Sequence, residues 1–150
     1  MRRAIALSRE NLETQQGGPF GAVVVKDGRI VGEGRNQVIA TNDPTAHAEI
    51  VAIRAATQAL GTFDLSGCAI YASCEPCPMC LGAILWARIG QLYHACDRHD
   101  AKAIGFDDEA FYREIQRGAA DRKLPIERLL DDEARAIFKA WAGDPGRVRY

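Results

Sequence analysis

Two short motifs constrain this sequence more than any other feature. The first is His47-Ala48-Glu49, and the second is Pro76-Cys77-Pro78-Met79-Cys80. One imidazole and two thiolates make up the Cys₂His ligand set of catalytic zinc sites, whose fourth position stays open to water. A fold that uses both motifs must bring His47 beside Cys77 and Cys80, although 30 positions separate 47 from 77.

Local patterns indicate how the two motifs meet. Asn42-Asp43-Pro44-Thr45 is a turn that predicts a helix with Asp43 as its N-cap, and the apolar spacing continues to Gly61. Cys77 and Cys80 lie three residues apart at the start of a second predicted helix, so both face the same way. The residues between the two motifs are enough for the rest of the first helix and one strand. Such a helix and strand would bring the start of the second helix back beside the start of the first.

The order of predicted elements indicates an α/β fold. Asp27-Gly28 lies between two β-branched runs and predicts a hairpin. A hairpin followed by strand–helix–strand units predicts a mixed sheet with helices packed on it. The length of 150 residues predicts one domain, residues 1–150. The predicted strands are 20–26, 30–35, 68–72 and 92–95.

Composition excludes several classes of protein. Apolar residues make up 47% and charged residues 26% of the chain, which is typical of a globular protein and not of a disordered or collagen-like one. The net charge of −1 provides no general positive field for nucleic acid. Neither a signal-peptide core nor a run of about 18 apolar residues is found. Three of the five cysteines lie within seven residues, which favours metal or catalytic chemistry in a cytoplasmic protein.

Each motif residue also has a simpler interpretation when taken alone. A single histidine in the first turn of a helix is more often a polar residue with a local partner, and a lone Cys-x-x-Cys also occurs in redox proteins. Cys74, Cys77 and Cys80 could begin an iron–sulfur motif, but Ile84 stands near where a fourth cysteine is needed. We therefore predict Cys74 to be a buried thiol that is not a ligand, and Cys68 and Cys96 to be core thiols.

Glu49 distinguishes an enzyme from a structural metal site. It follows the predicted ligand His47 by two residues, and a hydrolytic zinc site needs a base for its water. The simpler interpretation is a first-turn glutamate stabilised by the helix dipole. Beside three candidate ligands, we predict Glu49 to be the catalytic base and His47, Cys77 and Cys80 to hold the metal.

Taken together, the motifs resemble the signature of the zinc nucleobase deaminases, which belong to the cytidine deaminase-like superfamily. Within it the chain is similar to the bacterial guanine deaminases, in residues 18–23, 42–49, 73–84 and 105–108 and in the terminal Tyr150. The resemblance implies a three-layer α/β/α fold with a mixed five-stranded sheet and helices on both faces. Four strands are predicted from the sequence, so the fifth is expected within residues 102–126.

The resemblance also implies an activity, which is hydrolysis of guanine to xanthine and ammonia with one zinc ion per subunit. It assigns proton transfer to Glu49, and to Asp108 either a substrate hydrogen bond or help to the leaving amine. Phe20 and Asn36 would contact the base. The alternatives are that Asp108 caps a helix, Asn36 belongs to a turn and Phe20 fills the core.

The carboxy-terminal residues carry a further implication of the resemblance. Residues 143–150 would be exchanged between the two subunits of a homodimer, where Tyr150 closes the partner's cavity onto the substrate. The ordinary expectation for a chain end is that it frays.

Three other functions remain open at this point. A tRNA adenosine deaminase shares residues 42–49, but the acidic Asp107-Asp108-Glu109 lies where a polynucleotide would need cations. Cytosine or guanosine deamination is chemically close. A noncatalytic zinc-binding module is the non-enzyme alternative, and it leaves Glu49 without a task.

Overall fold

Four strands form one mixed sheet in this computed structural model, which describes residues 1–149. Their bounds are β1 Gly21–Lys26, β2 Arg29–Arg35, β3 Ala69–Cys74 and β4 Gln91–Cys96. The strand order is β2-β1-β3-β4. β1 pairs antiparallel with β2 and with β3, whereas β3 pairs parallel with β4. The α/β class and the mixed sheet are therefore as predicted.

The turn of the first hairpin has the geometry that its sequence favours. Asp27 and Gly28 both have positive φ angles, of 49° and 74°. Positive angles at both central residues are what a two-residue type I′ turn requires. The hairpin pairing places Ala22 opposite Gly34.

Helices make up most of the remaining regular structure. Within the described residues they are α1 Arg2–Thr14, α2 Val38–Thr41, α3 Ala48–Leu60, α4 Pro78–Trp86, α5 Arg98–Ala103, α6 Asp108–Gln116 and α7 Asp131–Gly143, with a 3₁₀ turn at Ala119–Asp121. No helix among residues 1–149 is both long enough and apolar enough to cross a membrane.

Two glycines let helices approach opposite faces of the sheet. A β-carbon placed on Gly21 would lie 2.2 Å from the carbonyl oxygen of Ala4 in α1. One placed on Gly34 would lie 2.1 Å from the carbonyl oxygen of Ala48 in α3. Gly34 pairs with Ala22, the neighbour of Gly21, so the two glycines point to opposite faces. Only glycine allows backbone contacts this close.

The main core lies between the sheet and helices α3 and α4. Small side chains on α3 permit the close approach to β2, and Ile70 and Val24 fill the space from the sheet. This packing fixes the starts of α3 and α4 relative to the ends of the strands. Its buried members are Ala22, Val24, Ala48, Ala52, Ala56, Leu65, Cys68, Ile70, Ala72, Ile84, Ala87 and Ile89.

The prediction that Asp43 caps the first motif's helix is wrong, because α3 begins at Ala48. The Asp43 carboxylate instead accepts hydrogen bonds from the backbone N–H and the hydroxyl of Thr45, at 2.8 and 2.7 Å. This local Asx turn delays helix entry. The N-cap of α3 is His47 itself, in an extended conformation.

The fifth strand expected within residues 102–126 is absent from the described part of the chain. Those residues include the end of α5, all of α6 and the 3₁₀ turn. Asp108 and Glu109 in the first turn of α6 favour a helix there through the helix dipole. Pro125, in the stretch that follows, has no N–H to donate to a sheet.

The chain divides into two compact units. The first, Met1–Tyr112, contains the sheet and the helices packed on it. The second runs from Arg113 onward and includes α7, whose first turn is acidic at Asp131, Asp132 and Glu133. Arg135 pairs with Asp131 one turn later. A single deaminase domain over residues 1–150 stays a prediction.

Candidate metal centre and active site

The two motif residues His47 and Cys77 occupy equivalent positions in the fold. His47 is the N-cap of α3, with φ −68° and ψ 155°, and Cys77 is the N-cap of α4, with φ −65° and ψ 169°. Pro78, which cannot donate a backbone hydrogen bond, begins α4. Both side chains therefore leave the chain at the positive ends of helices, where negative charge is stabilised.

The three predicted ligands converge. His47 Nδ1 lies 3.6 Å from Cys77 Sγ and 3.5 Å from Cys80 Sγ. All three candidate ligand atoms lie within 4.8 Å of one another. In a tetrahedral zinc site, bond lengths of about 2.0–2.3 Å place neighbouring nitrogen and sulfur ligands roughly 3.5 Å apart. The donor set and its spacing thus fit a zinc ion.

The two ligand thiols interact with each other and differ in acidity. The Cys80 thiol donates to Cys77 Sγ and lowers the pKa of Cys77 to about 4. The same hydrogen bond, followed by burial, raises the pKa of Cys80. Contact with Cys77 also raises the pKa of His47. Cys77 is therefore the more acidic of the two thiols, and binding of a divalent cation would release a proton from Cys80.

Glu49 is buried next to these ligands and is not one of them. Its exposed fraction is 8%, and burial is the main reason that the pKa of its carboxyl is raised. Among the described residues, the only ligand group consists of His47, Cys77 and Cys80. A carboxyl with a raised pKa beside a metal centre can both accept and return a proton near neutral pH.

A cavity of about 260 Å³ opens in front of the metal centre. This volume suits a single heterocycle, since sites for drug-sized ligands start near 300 Å³. Of the predicted site residues, all lie on its wall except Cys80, which is fully buried behind it, and Tyr150, which lies outside the described residues. The lining is Gly18, Phe20, Asn36, Val38, Ile39, Pro44, His47, Glu49, Cys74, Glu75, Cys77, Phe106 and Asp108.

Asn36 is held in one orientation at the cavity wall. Its Oδ1 accepts the backbone N–H of Val38 at 3.2 Å. Its backbone carbonyl oxygen accepts a hydrogen bond from Nδ2 of the buried Asn11 at 2.8 Å. Because Oδ1 is used in this way, Nδ2 is the atom of Asn36 that can donate to a ligand.

Asp108 is the first residue of α6 and is half-buried. Burial, followed by the neighbouring Cys77, raises the pKa of its carboxyl. Its neighbour Asp107 is exposed and lies 3.7 Å from Lys102 Nζ. The two acids thus face different surroundings, and Asp108 is the one that lines the cavity.

Several lining residues were not predicted from the sequence. Phe106 packs edge-to-face on Phe20, with ring centroids 4.9 Å apart and an interplanar angle of 85°. Val38, Ile39 and Glu75 also line the cavity. Phe106 belongs to the Gly-Phe-Asp-Asp stretch on which the resemblance to guanine deaminases rests, so the sequence did contain a pattern that could have pointed to it.

The other cysteines lie outside the ligand group. Cys74 is buried, which raises the pKa of its thiol to about 12, and its Sγ donates to the Asp97 carbonyl at 3.3 Å. Cys68 is buried as expected, but Cys96 is exposed. The prediction for Cys96 was wrong, because nearly all side chains of β4, an edge strand, are exposed.

The chain is similar to known zinc-binding deaminases. Residues 1–96 match the cytidine and deoxycytidylate deaminase zinc-binding region. Guanine deaminase from Bacillus subtilis (strain 168) is 47% identical over 150 residues, covering 100% of this chain and 96% of the relative. Its X-ray structure superposes with a TM-score of 0.95 over 99% of this chain and 95% of the other.

Other relatives match a smaller part of this chain. A tRNA-specific adenosine deaminase from Agrobacterium fabrum (strain C58) is 50% identical over 86 residues, which cover 57% of each chain. A guanine deaminase structure from Nitrosomonas europaea has a TM-score of 0.67 at 37% identity, over 71% of this chain and 62% of that one. Of these relatives, the B. subtilis guanine deaminase matches the full length of the chain, whereas the tRNA deaminase and the N. europaea guanine deaminase match only part of it.

Proposed function

The chain belongs to the cytidine and deoxycytidylate deaminase family, and we propose that it is a hydrolase that converts guanine and water to xanthine and ammonia. The observation that carries the proposal is the grouping of Glu49 and Asp108 with His47, Cys77 and Cys80 around one cavity of single-base size. The relative of matching length is a guanine deaminase.

The residues of the centre have distinct tasks. His47, Cys77 and Cys80 would hold one zinc ion, which acts as a Lewis acid and lowers the pKa of a water molecule toward 7. Glu49 takes a proton from the attacking water and delivers it to the ring nitrogen next to C2. The water oxygen bonds to C2 as the double bond between C2 and that ring nitrogen opens. Glu49 then takes the second proton, from the new C2 hydroxyl, and gives it to the exocyclic amine. The C2–N bond breaks, ammonia leaves with the bonding electron pair, and the C2 carbonyl of xanthine forms.

The cavity wall recognises the base. Guanine presents N1–H and its 2-amino group as donors, and the Asp108 carboxylate is an acceptor suited to them. Asn36 Nδ2 donates to an acceptor on another edge of the base. Phe20 packs against the ring face, supported by Phe106.

The surroundings of the cavity favour a free base over a polynucleotide. Lys102, which lies beside the acidic stretch, is already within 4 Å of both Asp107 and Glu109. Tight binding of a nucleic acid relies on cations that contact phosphates. We therefore rank tRNA adenosine deamination below guanine deamination. Cytosine and guanosine deamination also rank below it, because the relative of matching length is a guanine deaminase.

We also propose the assembly and the compartment. Residues 143–150 of one subunit would cover the partner's cavity, with Tyr150 against the substrate, in a homodimer. Because the metal-binding thiols must stay reduced, the enzyme is expected in the cytoplasm.

The test of the function is an assay of ammonia release by the zinc-loaded protein. The substrates are guanine, guanosine, cytosine, cytidine, adenine and tRNA. We expect turnover of guanine at a kcat/KM at least 100-fold above the others. Turnover of tRNA adenosine without turnover of guanine would overturn the proposal.

A further inference from the structure

Helix α6 approaches the metal centre at two points, one of which is Asp108 on the cavity wall. The Tyr112 hydroxyl donates a 2.8 Å hydrogen bond to the carbonyl oxygen of Pro76, the residue before Cys77. Asp108 and Tyr112 are four residues apart and so lie on the same face of α6. One face of the helix thus reaches the cavity through Asp108 and the backbone of the ligand loop through Tyr112.

The ring of Tyr112 is held from its other side. The guanidinium carbon of Arg98 lies 4.2 Å from the Tyr112 ring centroid. Arg98 in turn binds both oxygens of Glu75, through Nε at 3.1 Å and through Nη2, and its backbone N–H also donates to Glu75 at 3.1 Å. Glu75 directly precedes Pro76. Glu75, Arg98 and Tyr112 therefore form a chain of contacts that begins and ends on the loop that precedes Cys77.

Within a single chain, helix α6 does not bury an apolar face. None of its nine residues, all within the described part of the chain, is buried. Phe111, its largest apolar side chain in the first unit, is 60% exposed. Most helices are placed by burial of an apolar face. For a helix without such a face, directional contacts such as the Tyr112 hydrogen bond and the ion pair of Glu109 with Lys102 contribute more to its placement.

We propose that Tyr112 is a positioning residue, whose hydroxyl ties α6 to the Pro76 carbonyl and thereby holds the Asp108 carboxylate in place for the substrate. This inference rests on the proposed function, in which Asp108 accepts hydrogen bonds from guanine. A displacement of about 1 Å at a reacting group can lower a rate about 100-fold. Tyr112 itself does not line the cavity.

The first test removes only the hydroxyl. Tyr112→Phe keeps the ring and its contact with Arg98, and we expect kcat/KM for guanine to fall at least tenfold with zinc content unchanged. Tyr93→Phe is the matched control, because Tyr93 stacks on Tyr71 at 4.7 Å and does not line the cavity. The control should stay within twofold of the wild type. A Tyr112→Phe enzyme within twofold of the wild type overturns the proposal.

A double-mutant cycle shows whether Tyr112 acts through Asp108. In an Asp108→Asn background, Tyr112→Phe should cost less than a further twofold in kcat/KM, because the group that it positions is already lost. A full tenfold loss in that background would mean that the hydroxyl acts on the ligand loop alone. That result would also overturn the proposal.

Hydrogen exchange separates this inference from the proposed function. In the zinc-loaded protein without substrate, Tyr112→Phe should raise the exchange rate of the amides in α6 at least threefold, whereas Tyr93→Phe should not. Unchanged exchange in α6 contradicts the positioning role even if guanine is turned over. Absence of guanine turnover by the wild type would refute the function, and the exchange rates would still decide whether Tyr112 positions α6.

Discussion

His47 Nδ1 lies 3.6 Å from Cys77 Sγ, although 30 positions separate the two residues in the sequence. Each residue is the N-cap of a helix, and their backbone angles differ by less than about 15°. Two helix starts, side by side at one edge of a packed sheet, therefore create the metal centre. Glu49 and Cys80 follow within the first turns of the same helices, so four functional side chains share this construction.

Replacing Glu49 with glutamine should abolish turnover and leave the metal in place. The amide has nearly the same shape but cannot transfer the proton, so kcat for guanine should fall by about 10² to 10⁴. Zinc per chain, measured by elemental analysis, should stay near one. Activity within threefold of the wild type would support a noncatalytic zinc module. Loss of the zinc would mean that Glu49 is a ligand.

Replacing Asp108 with asparagine should weaken catalysis. A hydrogen bond to a charged group contributes about 1.5–3 kcal/mol, which corresponds to a fall of about 10- to 140-fold in kcat/KM for guanine. Steady-state kinetics with guanine as substrate measure the change in kcat/KM. An Asp108→Asn enzyme with wild-type kinetics would favour the interpretation of Asp108 as a residue that serves only the helix start.

The same variant should change the pH dependence of stability. Burial raises the pKa of Asp108, so the folded state holds its proton more tightly than the unfolded state does. The wild type therefore loses stability as the pH rises from the ordinary carboxyl pKa through the raised one. Asparagine does not ionise, so the variant should have the higher Tm at pH 7 and an equal Tm at pH 3. A lower Tm for the variant at pH 7 would contradict this account.

Replacing Phe106 with leucine should weaken substrate binding. The variant loses the edge-to-face contact with Phe20, and such aromatic pairs contribute about 0.5–1.5 kcal/mol beyond area burial. We expect KM for guanine to rise about two- to tenfold with little change in kcat. Phe63→Leu makes the same change away from the cavity and should leave KM unaltered. Equal KM values for both variants would remove Phe106 from the binding site.

Deleting residues 146–150 tests the exchanged tail. Guanine turnover should fall at least tenfold while zinc content stays the same. Co-expression with full-length Glu49→Gln should restore activity, because that inactive subunit can lend its tail to the intact cavity of the shortened one. Unchanged turnover after deletion would show that the tail is not needed. A loss that co-expression does not restore would show that the tail serves its own subunit.

Much of the fold and the ligand set could be predicted because the responsible signals are local. Asp27-Gly28 determines a tight hairpin, and Pro78 at the start of α4 fixes where that helix begins. A cysteine pair with helical spacing then faces one way. The contact between His47 and Cys77 could also be predicted, because the one helix and one strand between them are themselves recognisable from local sequence.

The features that could not be predicted depend on tertiary structure. Cys96 has a typical strand sequence around it, but the side chains of β4 are exposed along almost its whole length, and Cys96 with them. Asp43 has the residue type of an N-cap, but its bonds to Thr45 delay the helix. Tyr112 carries no motif at all, and its importance follows only from the neighbouring Pro76 carbonyl.

The zinc content of three purified proteins tests the central claim most directly. The account predicts about one zinc per chain in the wild type and in Cys74→Ser, and a large loss in Cys77→Ser, because only Cys77 belongs to the group formed with His47 and Cys80. Anomalous diffraction at the zinc edge should place the ion between these three side chains. Equal zinc content in all three proteins, or an ion bound elsewhere, would contradict the account.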